Sequence, residues 1–510
     1  MIVLGQLRKG AYFDSITLMQ CGKEITAMPG IADAAVVMGT KSNKAILHSS
    51  GLLVPEFTGA GDTDLLIAIK GESAKAAETA LGSVDGLLKR PVQKTRSGGE
   101  PHPVSLERAL EVLPGANLAL ISVAGRYAGN EAMRALEHGL QVMIFSDNVS
   151  LKEEIRLKKY ARKRGLLVMG PDCGTAIING VPLAFANVVD RGNIGIVAAA
   201  GTGLQEVSCI ISNSGAGVSQ AIGTGGREVK REVGGIMFVE AVKALADDAN
   251  TRVILLISKP PDKEVLARIT RVIKGIHKPV VTLLIGAKTK DGGPSTLEEA
   301  ALTAVAMSRG EETHHLRQQI AARDAKILET AKRESQERMK GQKYVRGLFS
   351  GGTFCAEAQI LFREMISNVY SNAPTGASRP LKESLKSQKN SVIDLGEDEF
   401  TVGRPHPMID YSLRNRRILE EAADPETAVI LLDVVLGHGS HPDPASELSP
   451  IIREVSKQVT VVCSITGTDR DPQNRGAVER RLKGAGAIVM PSNAAACKLA
   501  GYIIQHRGSK

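Results

Sequence analysis

One local pattern occurs twice in the sequence. Residues 192–207 read GNIGIVAAAGTGLQEV and residues 345–362 read VRGLFSGGTFCAEAQILF. In both, a run of strand length, apolar from Ile194 to Val197 in the first, ends on small residues and passes directly into helix-forming sequence. A run that is apolar at every position suits a strand covered on both faces, and such strands belong to parallel sheets flanked by helices. Further pairs follow in the same order: TRVILLISKPP (251–261) with TAVILLDVVLG (427–437), and KPVVTLLIGA (278–287) with QVTVVCSITG (458–467). The matched order predicts two doubly wound α/β domains related by duplication. All domains of this class share such patterns, so resemblance without duplication stays open.

Strand and helix patterns alternate elsewhere too. In 1–95, AAVVM (34–38) and DLLIAIK (64–70) read as strands and 73–90 as a helix, a small N-terminal α/β domain. The polar stretch PVQKTRSGGEPHP (91–103) reads as a linker. Over 96–190, NLALISVA (117–124), QVMIFS (141–146) and LLVMG (166–170) read as strands of a Rossmann-like domain, with helices between them. Ser150 and Glu153 form a capping box before the second of those helices. The duplicated pair is expected at 191–308 and 344–510, joined by a charged, solvated helical segment at 309–343.

Aromatic residues are only 3% of the 510, so the interior is aliphatic, as buried parallel strands require. A net charge of +9 permits an anionic substrate. The densest basic run, Lys158 to Arg164, closes a helix where cations offset the helix dipole, and reads as a solvated helix end. No aromatic platform accompanies it, so no nucleic-acid partner is expected. Six cysteines without a CxxC pair indicate neither a zinc nor a disulfide framework, and suggest a reducing compartment. No run of 18 apolar residues and no secretory signal are found, so a cytoplasmic chain without a membrane span is expected.

The glycine turns carry the chemistry. The first turn of a helix leaves backbone N–H groups unpaired and bears the positive end of the helix dipole, so small residues there admit an anion. Gly201, Thr202 and Gly203 fit this description, as do Gly351, Gly352 and Thr353. Gly225 and Gly226 end another strand on the same expected sheet edge. No GxxxxGK[ST] is present and no GxGxxG follows a strand, so neither ATP nor NAD is indicated by motif. Pro171 and Cys173, in GPDCG, end a strand and would bring a thiol to that edge, though a lone cysteine packs as readily. His441, in GHGSHPDP, reads as a substrate-contacting or general-base histidine; no third ligand for a metal is evident, and no metal is expected.

At these residues the chain resembles known families. MGPDCGTAIING (169–180) is similar to the GPNCPG segment of the succinyl-CoA synthetase α subunit, and GNIGIVAAAGTGLQEV and AIGTGGREV to the segments that follow it there. Residues 344–510 resemble the C-terminal ligase domain of the β subunit. Nearly the whole chain, including YFDSITLM, MGTKSNKAIL and RPHPMID, resembles the FdrA family of acyl-CoA synthetase-like proteins. The resemblance implies that the helices beginning near Gly201 and Gly352 face one another across a phosphate site, with Pro171 to Gly174 beside it. It also implies CoA or phosphate as ligand, an oligomer, and other enzyme subunits as partners.

Three departures narrow the expectation. The synthetases carry a phosphorylated histidine after these glycine loops, whereas residues 285–304 contain none; His277 and His314-His315 only flank them. The opening CoA-binding segment of the synthetases is replaced, and nothing resembles their ATP-grasp domain. A ligase must carry phosphoryl from nucleotide to acid. Without carrier and nucleotide domain, the expected function is binding of a small phosphorylated or acyl species between two helix tips. The FdrA resemblance implies the role of a subunit for acyl transfer, or for carbamoyl transfer between oxamate and phosphate. A genuine acid–CoA ligase and a non-catalytic scaffold are the alternatives.

Overall fold

The computed structural model describes every residue except 12, 14, 41–42, 45–46, 49, 90–102, 104, 287–292, 337–340, 402–404 and 509–510. The expected linker lies almost wholly outside the described residues. The chain divides into two compact units, residues 1–114 with 397–406, and 115–396 with 407–510.

The first unit is built on β1 (Ile2–Arg8), α1 (Ser15–Thr26), β2 (Ile31–Met38), β3 (Leu65–Gly71) and α2 (Ala74–Lys89). Its sheet runs β1-β3-β2 with both pairings antiparallel. β3 is apolar throughout because both of its faces are covered. Leu65, Ile67 and Ile69 pack with Ile25, Ala77 and Val84 from α1 and α2, while Leu66 and Ala68 pack with Leu52 and Phe57.

The second unit opens with a parallel three-stranded sheet of β4 (Leu118–Ile121), β5 (Gln141–Ile144) and β6 (Val168–Met169). The helices α3 (Gly125–Glu137) and α4 (Leu151–Lys163) connect these strands. Ser150 caps α4, its hydroxyl accepting from the Glu153 N–H at 3.3 Å. A hairpin follows, β7 (Thr175–Ile178) and β8 (Val181–Ala184). It lies within the expected 96–190 block by sequence, yet it pairs antiparallel onto the next sheet.

That next sheet contains β9 (Arg191–Ala199), then α5 (Gly201–Asn213), β10 (Val218–Gly223), α6 (Ile236–Asp247), β11 (Val253–Ser258), α7 (Lys263–Ile273) and β12 (Val280–Leu284). Its strand order is β12-β11-β9-β10-β7-β8. β9 alternates between two cores: Ile194, Ile196 and Ala198 on one side, Val197 and Ala199 on the other. Next come α8 (Leu297–Arg309) and α9 (His314–Gln336). The connection expected to be solvated is docked along one face. Ile327 and Ala331 of α9 are buried, and Arg323 engages Glu298 and Asp324.

The last sheet comprises β13 (Tyr344–Phe349), α10 (Gly352–Met365), β14 (Val369–Ser371), β15 (Arg379–Pro380), β16 (Asn390–Asp394), α11 (Ser412–Ala423), β17 (Thr427–Val435), α12 (Pro444–Val455), β18 (Thr460–Thr466), α13 (Arg475–Gly484), β19 (Ile488–Met490) and α14 (Asn493–Gly508). All its pairings are parallel, in the order β15-β14-β16-β13-β17-β18-β19. In both large sheets the strand before the glycine turn has later strands on either side, β10 and β11 around β9, β16 and β17 around β13. The chain thus reverses direction across the sheet at β9 and again at β13, the crevice where ligands of such sheets bind. One hydrophobic cluster runs from Ile196 and Leu204 through Ala300 to Phe354, Leu431 and Ala495, so the two sheets and their intervening helices share a core.

Candidate functional site: two facing helix tips

The shared core brings the first turns of α5 and α10 together. A Cβ placed on Gly203 would lie 2.9 Å from Cγ2 of Thr353, and one on Gly351 would lie 2.8 Å from Oγ1 of Thr202. These glycines are therefore required by close approach rather than by backbone angle. Neither helix has a side-chain cap; their N-caps are Ala200 and Gly351. The first intrahelical bonds run from Leu204 N to Ala200 O and from Cys355 N to Gly351 O, so the preceding amides are left for another acceptor. Thr202 and Thr353 occupy the same position in each helix and are 8% and 4% exposed.

The two tips differ in charge. The first turn of α5 contains no acidic residue, and Gly201 is exposed with open space where a side chain would be. At α10, by contrast, a Cβ on Gly352 would lie 2.5 Å from Oδ2 of Asp394. Ser350, just before that tip, gives its N–H and hydroxyl to the Asp433 carboxylate at 2.8 and 2.6 Å. Arg414, fully buried, donates to the Asp433 backbone carbonyl and lies 3.3 Å from its carboxylate.

Behind the tips, matching positions five residues after Gly201 and Gly352 carry Glu206 and Glu357, which the sequence reading passed over. Glu206 accepts from the Thr466 hydroxyl and from Asn493 N–H at 3.0 Å. Glu357 accepts from Leu297 N–H and Asn493 Nδ2, both at 2.8 Å. Burial raises the Glu206 carboxyl above its usual range and, reinforced by the charges of Glu206 and Glu298, pushes Glu357 up to about 7. Their equal spacing from the two glycine turns was the available signal.

Pro171, Cys173 and Gly225 also come together, one strand away from α5. The space a side chain on Gly225 would need is taken by the Pro171 carbonyl, and Gly226 is exposed. Gly223 pairs with Ala198 of β9, and Thr224 N–H donates to the Ala198 carbonyl at 2.9 Å. Cys173 is 2% exposed, with its thiol 3.3 Å from the Gly223 carbonyl and 3.5 Å from that of Thr175. Burial pushes that thiol up to about 12, an environment suited to packing rather than to attack as a thiolate.

The basic run holds a correction. Lys158 is not solvated: it is fully buried, 2.7 Å from Glu154, 2.5 Å from Glu228 and 3.2 Å from the Thr224 carbonyl. Glu228 also accepts from two amides in the first turn of α6, Met237 and Phe238, at 2.6 and 3.1 Å. This buried ion cluster fixes the 223–226 loop in place because every member has an opposite charge or an N–H to meet.

His441 stands apart. Its Nδ1 accepts from Asp443 N–H at 3.1 Å, its ring meets Tyr411 edge-on at 5.6 Å, and its Nε2 is 3.8 Å from Glu447. None of these partners belongs to either helix tip. The 437–441 loop instead docks on the end of β8, His438 N–H donating to the Ala186 carbonyl at 2.9 Å.

Comparison with known proteins places family matches on the sheets that carry these helices. The family described as CoA-ligase matches residues 348–503, the last sheet with α10, and the CoA binding domain family matches 189–286, the sheet that carries α5. A family described as AllF, heavy metal-associated domain, matches 1–103; the chain's one cysteine there, Cys21, is buried. The uncharacterised protein YahF of Escherichia coli K12 is 40% identical over 505 residues, spanning 96% of each chain. The succinate–CoA ligase α subunit of Methanothermobacter thermautotrophicus is 27% identical over 34% of this chain and 59% of that subunit. The malate–CoA ligase α subunit of Methylorubrum extorquens is 25% identical over 43% of this chain and 77% of that one. The chain belongs to the FdrA-like family that includes YahF, an acyl-CoA ligase family of succinyl-CoA synthetase-like architecture. Among the described residues no helix is long and apolar enough to cross a membrane.

Proposed function

We propose that the chain binds a small phosphorylated or acyl species at the paired tips of α5 and α10, and serves as a subunit for acyl or carbamoyl transfer. The approach of Gly203 to Thr353 carries this reading, because it sets two uncapped helix starts around one point. Amides 201–203 and the hydroxyls of Thr202 and Thr353 would hold the oxyanion and stabilise charge that develops during transfer.

The difference between the tips favours a ligand with an anionic end and an end that donates hydrogen bonds. Carbamoyl phosphate has both: phosphate for the α5 amides, and an NH₂ group for the carboxylate of Asp394. Cys173 takes no chemical step in this reading, and His441 would act only through the loop it anchors. Calorimetric titration of the full chain with inorganic phosphate and with carbamoyl phosphate tests the proposal. No binding at millimolar ligand would remove it.

The family matches favour a second reading, a genuine acid–CoA ligase, in which CoA and an anionic acid are the ligands. CoA-dependent cleavage of ATP by the chain, alone or with added partner subunits, would establish that reading in place of the first.

A further inference from the structure

We infer that Lys259 is the cationic contact of the helix-tip site, its ammonium set against the phosphoryl oxygens of the ligand held by α5. This inference rests on the oxyanion reading above. Lys259 immediately follows Ser258, the last residue of β11, and Ser258 pairs with Ala199 of β9. In this parallel register Lys259 comes level with Ala200, the N-cap of α5. The same strand end touches the tip, since Cγ2 of Ile257 lies 3.3 Å from where a Cβ on Gly203 would stand. Lys259 is also within electrostatic reach of the second tip: its positive charge acts, as the smallest of several effects, on the thiol of Cys355, the fourth residue of α10, which burial dominates.

Lys259 is half-buried, yet its ammonium has neither an ion pair nor a hydrogen-bond acceptor among the described residues. Other partly or fully buried lysines of this unit are engaged. Lys158 meets Glu154 and Glu228, Lys278 meets the carbonyls of Leu245 and Asp248, and Lys498 meets Asp324. The ammonium keeps contact with solvent and no acidic group among the described residues competes for it, so an incoming oxyanion can make a charge-assisted contact there without displacing another partner. Two further groups point the same way. The hydroxyls of Thr202 and Thr353 belong to side chains more than nine-tenths buried, and neither has a hydrogen-bond partner among the described residues. An unpaired cation, two unengaged hydroxyls and uncapped amides together match the donors that a phosphate needs.

The test is titration of the full chain with inorganic phosphate and carbamoyl phosphate, using wild type, Lys259→Met and Lys259→Arg. Lys259→Met should weaken binding at least about tenfold, since a charge-assisted contact to phosphate is lost, while Lys259→Arg stays within about threefold. Thermal melting of both variants should match wild type, because the ammonium holds no other group in place. If wild type binds and Lys259→Met binds equally, the inference is overturned while the helix-tip reading stands. If wild type itself does not bind, the helix-tip reading falls and takes the inference with it.

Discussion

Gly203 of α5 and Thr353 of α10 touch so closely that a methyl group on the glycine would stand 2.9 Å from the threonine Cγ2 and 3.3 Å from the Ile257 Cγ2. Both neighbours are held by the core, so neither can yield cheaply. Gly203→Val should therefore separate the tips, costing about 1–3 kcal/mol from overpacking. Denaturant unfolding should register that loss, and titration with phosphate should show binding abolished. Wild-type affinity in this variant would mean that the two tips do not share a ligand.

Thr202 and Thr353 differ from the glycines in that their hydroxyls hold nothing among the described residues. Thr→Val keeps the shape and removes only the donor. Each single substitution should reduce phosphate affinity by about 5–10-fold, the worth of about 1–1.5 kcal/mol for one hydrogen bond, with little change in melting temperature. A shift in stability without a shift in affinity would assign the hydroxyls to structure instead.

Glu206 and Glu357 make stability depend on pH. Their folded-state pKa values are raised, that of Glu357 from an ordinary 4.5 to about 7, so the folded chain binds protons more tightly than the unfolded one. Stability from this pair is present below pH 4.5 and is lost as pH rises toward about 7. Glu206→Gln keeps both contacts, its oxygen accepting from Asn493 N–H and its NH₂ donating to the Thr466 hydroxyl, which turns to accept. It also removes the negative charge that helps to raise Glu357. Denaturant midpoints measured from pH 5 to 8 should fall less steeply in this variant, and at pH 8 it should be the more stable protein. A parallel pH profile in both proteins would remove these carboxylates from the account.

How far the sequence discloses this site depends on the kind of interaction. The parallel sheets and the glycine turns are legible because they are local: unbroken apolar runs such as 253–257 are of strand length and suit strands covered on both faces, and each turn leads directly into its helix. The meeting of Gly203 with Thr353 is legible only through the duplication and the family resemblance, since neither segment carries information about the other. Lys158, read as solvent-facing, is buried because Glu228 reaches it from across the fold, a pairing that no local pattern records. The docking of α9 escapes for the same reason. Its charges are on the surface by composition, but Arg323 and Asp324 meet Glu298 and Lys498 from other helices.

Cys173 makes a sharp chemical prediction. A thiol pushed up to about 12 and closed off from solvent should not react with a thiol reagent in the folded chain at neutral pH. All six cysteines are buried, so colour development with such a reagent should be slow until denaturant is added. Peptide mapping that found Cys173 labelled within seconds in the native protein would return it to the catalytic residues.

Lys158 offers the last prediction, and it separates a buried ion cluster from a neutral packing element. Replacing Lys158 with Met preserves length and apolar volume but leaves Glu154 and Glu228 facing one another without their cation. Arg227, 2.9 Å from Glu154, can answer only one of them. Breaking a buried pair in this way costs about 3–5 kcal/mol, far more than removing a surface charge. The loss should fall partly on the 223–226 loop, since the Thr224 carbonyl also loses its donor. Hydrogen exchange should then show faster exchange at the amides of Thr224 and Met237 than elsewhere in the same sheet. Unchanged exchange at those two amides would mean that packing alone holds the loop in place.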